Sequence, residues 1–387
     1  MNAFFKLKQT SFVNQRRYEA FVFLLLFSLF FGYLGHHMGI ANLLNTIMNT
    51  AWDLLMNTVF FIMGITVLSG ALGRLMIEFG VVRLLEFLLK PFMRPIFNLP
   101  GVAALAGLMT FFSDNPAIIS LANDKNFKKY FHEYELVSLA NFGTAFGMGL
   151  IVLTFMAGLG FFGPALVGLF GAIVGAVIST RLMQRLIRNK ITSTDTEERR
   201  GEDNDIRFKS EGNTFLRFLN ALLDGGKSGV DLGLAIIPGV LIISTMVMIV
   251  TFGPKEAALG YQGLAYEGVP ILPKLAGYAS GVFEFLFGFT SPELIAFPIT
   301  ALGAVGAALS LVKAFLAEGL ITGNVIAVFT AMGMTWSGYL STHTAMLDTL
   351  GHRSLTSKAL LAHTIGGIFA GIVANYAYKL VIYAGIL

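Results

Sequence analysis

The 387-residue sequence has no cysteine and few charges, since Asp, Glu, Lys and Arg together make up 13% of it. The absence of cysteine excludes disulfide bonds, cysteine-ligated metal clusters and cysteine nucleophiles. A soluble domain carries about a quarter charged residues, so the charge content argues against one. The sequence also lacks a Walker-type phosphate-binding loop, so ATP is not expected as the direct energy source.

Apolar residues dominate what remains: the chain is 55% hydrophobic, with 43 glycines, 36 phenylalanines and a mean hydropathy of +0.71. This composition predicts a polytopic all-α membrane protein whose helices pack in a lipid bilayer. The basic pI of about 9.1 comes from Lys and Arg beside apolar segments, where they set orientation; no nucleic-acid partner is expected. Lys6, Lys8, Arg16 and Arg17 predict a cytoplasmic N-terminus for this multi-pass protein.

A polar motif interrupts the apolar run at residues 99–122, where Asp114 is the only charge. The motif is Ser113-Asp114-Asn115-Pro116, and neither flanking arm is long enough to cross a bilayer. Ionisable groups at membrane depth are costly and usually functional. A re-entrant helical hairpin with its tip at 113–115 is therefore predicted, and a continuous span kinked at the proline is the alternative.

A second motif, Thr290-Ser291-Pro292-Glu293, interrupts another apolar run at residues 275–312. It combines a proline, a hydroxyl and a carboxylate in the same way, which predicts a second hairpin. Ser-Pro-Glu is also a favourable helix start, with proline in the first turn and an acid near the N-terminus. The second arm of this hairpin is long enough to cross the membrane, so this segment either re-enters or spans.

The two halves of the chain repeat the same order of elements. Residues 144–148 (Thr-Ala-Phe-Gly-Met) match residues 330–334 (Thr-Ala-Met-Gly-Met), and each match interrupts a predicted span. The positions of basic residues place the halves in opposite orientations, which is typical of secondary transporters with a midplane site. We predict about seven full transmembrane helices, two re-entrant hairpins and interfacial helices. The segments are a first helix (1–50), a first repeat (51–189), a charged cytoplasmic linker (190–214) and an inverted second repeat (215–387).

These motifs resemble those of the nucleoside-recognition (Gate) domain family of bacterial membrane proteins and, more distantly, of the concentrative nucleoside transporters. The resemblance lies in the two polar motifs and the two Thr-Ala-Xaa-Gly-Met segments. It implies that carboxylates and amides at the hairpin tips bind solute. It also implies that the protein lies in a bacterial cytoplasmic (inner) membrane. In this sequence Glu293 follows its proline, whereas in the transporters the corresponding carboxylate precedes it.

Candidate substrate-binding residues are Ser113, Asp114, Asn115, Thr290, Ser291, Glu293 and Trp336. Candidate ion-coupling residues are Asn141, Thr144 and Thr330, whose oxygens suit Na⁺ as a coupling ion; no other cofactor or metal is expected. The alternatives are helix capping for the tip residues and close helix packing for the small ones. His343, Asp348 and His352 are interpreted as a solvated loop cluster.

The main functional hypothesis is a secondary active transporter of a small polar solute, nucleoside-like solutes included, coupled to Na⁺ or H⁺. The alternative is a Gate-domain membrane scaffold or accessory subunit without transport activity. An intramembrane enzyme that uses Asp114 and Glu293 as an acid pair is disfavoured, because no nucleophile–base spacing supports it. The expected partners are the lipid bilayer, a small-molecule substrate and, in a homo-oligomer, further copies of the chain.

Overall fold

The computed structural model describes residues 2–188, 191 and 213–387, and all regular elements in these residues are helical. In chain order they are α1 (Asn2–Met38), α2 (Ile40–Asp53), α3 (Phe60–Glu78), α4 (Val81–Phe92), α5 (Ala103–Phe112), α6 (Pro116–Asn123), α7 (Lys125–Lys128), α8 (Glu133–Thr144), α9 (Gly149–Gly158), α10 (Phe162–Ile187), α11 (Thr214–Ala235), α12 (Thr245–Ile249), α13 (Ile271–Gly277), α14 (Ser280–Phe287), α15 (Ala296–Gly303), α16 (Val305–Ala317), α17 (Gly323–Thr335), α18 (Tyr339–Thr349) and α19 (Thr356–Tyr383). The predicted linker at 190–214 falls almost wholly outside the described residues.

The chain is an all-α, polytopic membrane protein, as predicted. Six helical segments of the described residues are long and apolar enough to cross a membrane. They are Arg16–Met38, Ile40–Glu78, Glu133–Gly158, Phe162–Ile187, Thr214–Ile249 and Arg353–Tyr383. A seventh candidate is the pair formed by α14 and residues 292–303, which meets the same criteria as one span but is bent by 71°.

Two pairs of left-handed backbone positions establish the register of the internal repeat. Asn98 and Gly288 have positive φ angles of 54° and 69°, and Met148 and Gly338 have φ angles of 54° and 66°. The members of each pair are 190 residues apart. The same shift superimposes α8 on α17 and α9 on α18 to within one residue. The repeat is therefore present, but Thr144 corresponds to Met334 and not to Thr330.

Two helix pairs that join the halves of the chain pack in opposite directions. Met63 of α3 contacts Gly233 of α11, and Gly70 of α3 contacts Gly225 of α11. Residues later in α3 therefore contact residues earlier in α11. Along α10 and α19, Gly171 lies against Ala370 and Ala374, and Gly175 lies against Gly366 and Ala370. Both pairs are antiparallel, and α10 and α19 are equivalent under the 190-residue shift, which is the arrangement that inverted repeats require. Small residues at these contacts let the backbones approach closely, as in other membrane helix pairs.

The first hairpin, α5 and α6, turns back within the bundle at residues 113–115. Gly107 of α5 lies against Phe142 and Phe111 lies against Gly149, so α5 runs in the same direction as α8 and α9. In α6, Asn115 lies against Gly147 and Ile118 lies against Gly143, so α6 runs in the opposite direction. Both arms therefore reach the same end of the bundle, which confirms the predicted re-entrant hairpin.

An amphipathic helix precedes this hairpin and begins only after α3 has ended. Residues 74–78 belong to the end of α3, and the chain turns at Gly80, which has a φ angle of 77°. Helix α4 follows and leaves Leu84, Phe87 and Leu88 exposed on one face. An apolar face of this kind suits a helix that lies along the bilayer surface.

The second hairpin is formed by α15 and α16, and its tip differs from the prediction. The 190-residue shift places residues 113–115 on Gly303, Ala304 and Val305, where α15 ends and α16 begins. The bend at residues 288–291, where α14 and the next helical segment meet at 71°, corresponds instead to the entrance of the first hairpin. The prediction of a break at Ser291 and Pro292 was correct, but this break is not the tip.

The packing of α3 against α11 gives a stability test with an adjacent control. A Cβ added at Gly225 would lie 2.4 Å from the Gly70 carbonyl oxygen, whereas at Gly226 the nearest atom is a Val67 methyl carbon at 3.7 Å. We expect Gly225→Ala to lower the free energy of unfolding by about 1–3 kcal/mol through overpacking. Gly226→Ala should change it little. Thermal unfolding of both variants in detergent measures the difference, and equal melting temperatures would contradict this packing.

Candidate functional site

The tip of the first hairpin contacts the turns that interrupt both broken spans. Asn115 is buried, and its amide nitrogen lies 3.4 Å from the Ser337 hydroxyl oxygen, to which it donates. A Cβ added at Gly147 would lie 2.4 Å from the Asn115 Oδ1 atom, and one added at Gly338 would lie 2.5 Å from its Nδ2 atom. Both glycines therefore leave room for the Asn115 side chain. A single side chain thus joins the two halves of the protein.

Asp114 presents an open acceptor at the same tip. Its carboxylate lies beside the backbone N–H groups of Asn115 and Met148. The Oδ1 atoms of both Asp114 and Asn115 are buried and have no hydrogen-bond partner among the described residues. Buried polar atoms are normally hydrogen-bonded, so two open acceptors at one tip indicate a place for a ligand or water. The third tip residue, Ser113, is exposed.

A cavity of about 310 Å³ adjoins Ser113. It lies between α3, α11 and the first hairpin, and Arg74, Asp224 and Ser228 contribute its polar lining. The close approach of Gly70 and Gly225 forms part of its wall. Ser113 therefore belongs to both the hairpin tip and the cavity wall.

The second motif does not line this site, contrary to prediction. Under the 190-residue shift, Thr290, Ser291 and Glu293 correspond to Pro100, Gly101 and Ala103, at the entrance of the hairpin. Thr290 is exposed, and the Ser291 hydroxyl donates a hydrogen bond to the Glu293 carboxylate. These are the contacts of a polar helix start, which was the alternative interpretation. The tip of the second hairpin, at residues 303–305, carries no polar side chain.

The entrance of the second hairpin is anchored by amides. Asn324 donates to the Phe287 carbonyl oxygen at 3.1 Å, and Asn375 donates to the Leu286 carbonyl oxygen at 3.0 Å. The first repeat has a similar arrangement, in which Gln184 donates to the Phe97 carbonyl oxygen at 3.2 Å. These side chains satisfy backbone carbonyls near a left-handed turn, which explains why both entrances keep a fixed shape.

The three predicted ion-coupling residues are buried but do not converge. Asn141 donates to the Ser179 hydroxyl oxygen at 2.9 Å, whereas the Cβ of Thr330 would lie 2.5 Å from a Cβ added at Gly168. Gly168 and Ser179 lie eleven residues apart on α10, which is about 16 Å along a helix. Thr144 donates to the Ala140 carbonyl oxygen of its own helix at 2.5 Å. A single Na⁺ site formed by all three is therefore excluded by this geometry.

Trp336 is also unavailable as a stacking platform. It is 4% exposed, and its indole N–H donates to the His363 carbonyl oxygen at 3.2 Å. Its ring lies directly against Gly367, where an added Cβ would be 2.1 Å from Nε1. Trp336 therefore fixes the broken span to α19.

Sequence reasoning missed two buried histidines. His343 and His363 are fully buried, and their ring centroids lie 4.5 Å apart. The prediction of a solvated cluster holds for His352, which lies 2.8 Å from the Glu133 carboxylate, and for the exposed Asp348. It is wrong for His343. The position of His363 on the glycine- and alanine-rich face of α19 is the signal that could have revealed it.

Comparisons with known proteins agree with this architecture. A CNTnw variant in an outward-facing state superimposes with a TM-score of 0.54 at 14% identity, over 94% of this chain and 86% of that one. CNTnw in an inward-facing, substrate-bound state gives the same score and identity over 82% of this chain and 74% of that one. The chain is distantly similar to the concentrative nucleoside transporters. At this identity the likeness shows the fold alone.

A stretch of the sequence is also similar to the sporulation integral membrane protein YlbJ of Bacillus subtilis. The two are 41% identical over 71 residues, which are 18% of this chain and 17% of that protein. No family model matches the chain.

The contact between Gly338 and the hairpin tip can be tested against a glycine that has the same backbone strain. Gly319 has a φ angle of 70° and open space around it, whereas an added Cβ at Gly338 would meet Asn115 and Thr342. A left-handed alanine costs about 1–2 kcal/mol at either position. We expect Gly338→Ala to lose about 1–3 kcal/mol more through overpacking, as measured by thermal unfolding in detergent. Equal losses in the two variants would contradict the contact.

Proposed function

We propose that the protein is a secondary active transporter of a small polar solute and that the solute binds at the first hairpin tip. The observation that carries this proposal is the pair of open, buried acceptors on Asp114 and Asn115. They lie at a tip that contacts the turns of both inverted repeats. The repeat interface near the midplane is where such transporters hold substrate.

The chemistry of the tip favours a solute that is rich in hydrogen-bond donors. Its open groups are carboxylate and amide oxygens, which accept hydrogen bonds and repel anions. No ion pair joins Asp114 to a basic side chain in the described residues. Neutral solutes with several hydroxyl and N–H groups, nucleoside-like solutes included, or small organic cations match this set of acceptors. Because Trp336 is packed against α19, an aromatic base would have to stack elsewhere.

The hairpin also provides the moving part that alternating access requires. Helix α6 has eight residues and contacts both broken spans through Asn115. A displacement of this short element would open the tip to one side of the membrane or the other. CNTnw shares the fold and has been captured in outward-facing and inward-facing states, which supports the same kind of cycle here.

The orientation and energy source belong to the proposal as well. Arg94, Arg181 and Lys358 gather at one end of the bundle, where Arg94 pairs with Glu135 and Lys358 donates to the Leu186 carbonyl oxygen. By the positive-inside rule this end faces the cytoplasm of a bacterial cell, together with the N-terminus. The transported solute would be driven by H⁺ or Na⁺.

A membrane scaffold or accessory subunit is the second candidate. The similarity to a sporulation membrane protein favours it, and so does α1, which exposes Phe21, Leu24 and Leu29 on the surface of the bundle. Such a role would require the fold but not the open acceptors at the tip.

Asp114→Asn separates the two candidates. The substitution keeps the size of the side chain and removes its charge, so we expect uptake into proteoliposomes to fall at least about 100-fold, as when a buried charged hydrogen bond to the solute is lost. Uptake is measured over a panel of nucleosides, polyols and amines with imposed H⁺ and Na⁺ gradients.

Glu293→Gln is the matched control, because the structure places this carboxylate at the hairpin entrance. Its uptake rate should remain within about threefold of the parent's rate, which corresponds to less free energy than a typical hydrogen bond contributes. If the parent accumulates no solute of the panel, or if Asp114→Asn transports as the parent does, the proposed transport site is wrong.

A further inference from the structure

His343 and His363 form a buried pair that the proposed solute site does not use. His343 belongs to α18 and His363 to α19, and the planes of their rings meet at 59°. Both side chains are fully buried. Their hydrogen bonds differ, and this difference identifies which of the two can accept a proton.

The hydrogen bonds of His363 hold it in one neutral form. Its Nε2 atom contacts the Thr335 carbonyl oxygen, which only accepts, so Nε2 carries the proton. Its Nδ1 atom lies 2.9 Å from the Ser179 hydroxyl oxygen, and that hydroxyl in turn accepts from the Asn141 amide at 2.9 Å. The Ser179 O–H therefore donates to Nδ1. Both ring nitrogens are satisfied, and no lone pair remains open.

His343 is left with an open lone pair. Its Nδ1 atom lies 2.6 Å from the Tyr339 carbonyl oxygen and must donate to it. In the neutral ring the other nitrogen, Nε2, is then the basic one. This atom is buried and has no hydrogen-bond partner among the described residues. His343 is thus a buried base whose Nε2 lone pair is open.

The surroundings of His343 supply no counter-charge in this conformation. Helix α18 packs against α6, α8, α15 and α19. The titratable groups on these elements are Lys358, His363, Tyr376, Tyr378, Lys379 and Tyr383 on α19; Glu133, Tyr134 and Glu135 on α8; Asp114 and Asp124 at the two ends of α6; and none on α15. Glu133 pairs with His352 and Glu135 pairs with Arg94. On α18 itself Tyr339 lies beside His343, and Asp348 lies 3.7 Å from Arg353.

We propose that His343 Nε2 binds the proton that drives this transporter, an inference that rests on the proposed function. The neutral ring fits the conformation described here, because an imidazolium would be buried without a partner. In the alternate conformation, water or the Asp114 carboxylate reaches Nε2 and the ring takes up a proton. Since a ligand shifts the equilibrium toward the state that binds it better, acid favours the alternate conformation.

The absence of cysteine makes a direct test possible, since a single introduced thiol is the only reactive one. Ser228 is exposed and lines the cavity. We would place a cysteine there by Ser228→Cys and measure its maleimide labelling rate in proteoliposomes from pH 8.5 to pH 5.5. The same measurement is made on the double variant Ser228→Cys with His343→Gln. Dividing the labelling rate of the single variant by that of the double variant at each pH removes the effect of the thiol's own titration.

The proposal predicts that this ratio changes with pH, by up to about tenfold per pH unit, which is the limit for one proton. Gln can donate to the Tyr339 carbonyl as neutral His343 does, so the variant should fold, and His343→Asn provides a second substitution. His352→Gln is the control because its ring lies on the Glu133 carboxylate, and it should keep the parent profile. A ratio that stays constant with pH for both His343 variants would overturn the proposal.

Uptake provides the second readout. With an inward H⁺ gradient and no Na⁺, the parent should accumulate solute, while His343→Gln should exchange solute across the membrane without accumulating it. Accumulation by His343→Gln equal to that of the parent would overturn the proposal. If the parent transports nothing, the proposed function fails, but the labelling ratio still reports whether His343 couples conformation to pH.

Discussion

The contact on which the site depends is the insertion of Asn115 between Gly147 and Gly338. Each glycine lies in the turn that interrupts a membrane-crossing helix, and the two turns come from opposite halves of the chain. A backbone turn at membrane depth exposes N–H and C=O groups, which are tolerated only when protein or a wet cavity satisfies them. The short hairpin meets this need and brings its own open acceptors to the same place. The contact that stabilises the turns therefore also places unpaired acceptor atoms beside them.

The remainder of the fold holds this arrangement by close backbone packing. Helices α3 and α11, and likewise α10 and α19, approach through glycine and alanine, so their contacts depend on shape more than on hydrophobic burial. Buried polar side chains add directional hydrogen bonds across these contacts: Thr66 of α3 donates to the Gly229 carbonyl oxygen of α11, and the Ser179 hydroxyl of α10 lies 2.9 Å from His363 Nδ1 of α19. A rigid frame of this kind suits the proposed movement of one small hairpin.

The sequence could predict those structural features that depend on distinctive residue types. Asp114 and Pro116 in an apolar run identified the first hairpin, and the basic residues identified the inverted repeat. The second tip could not be found this way, because Gly303 and Ala304 differ in no obvious respect from the surrounding apolar residues. Ser291 and Pro292 resembled a tip, since a helix start needs the same residue types.

The register of the repeat predicted from the sequence was wrong for a related reason. Thr, Ala, Gly and Met are tolerated inside buried membrane helices, so the match of residues 330–334 to residues 144–148 did not mark a break. The true break at residues 336–338 is set by Gly338, whose left-handed conformation is visible only in three dimensions. Likewise, His343 was assigned to a loop because nothing local distinguishes a buried histidine from a solvated one.

The most direct test of the central contact is disulfide formation in this cysteine-free chain within native membranes. The pair Asn115→Cys with Ser337→Cys should cross-link under mild oxidation, because the native side chains are 3.4 Å apart. The pair Ser291→Cys with Ser337→Cys should not, because Ser291 lies at the hairpin entrance. Cross-linking of the second pair and not the first would contradict the account, since it would place the other motif at the repeat interface.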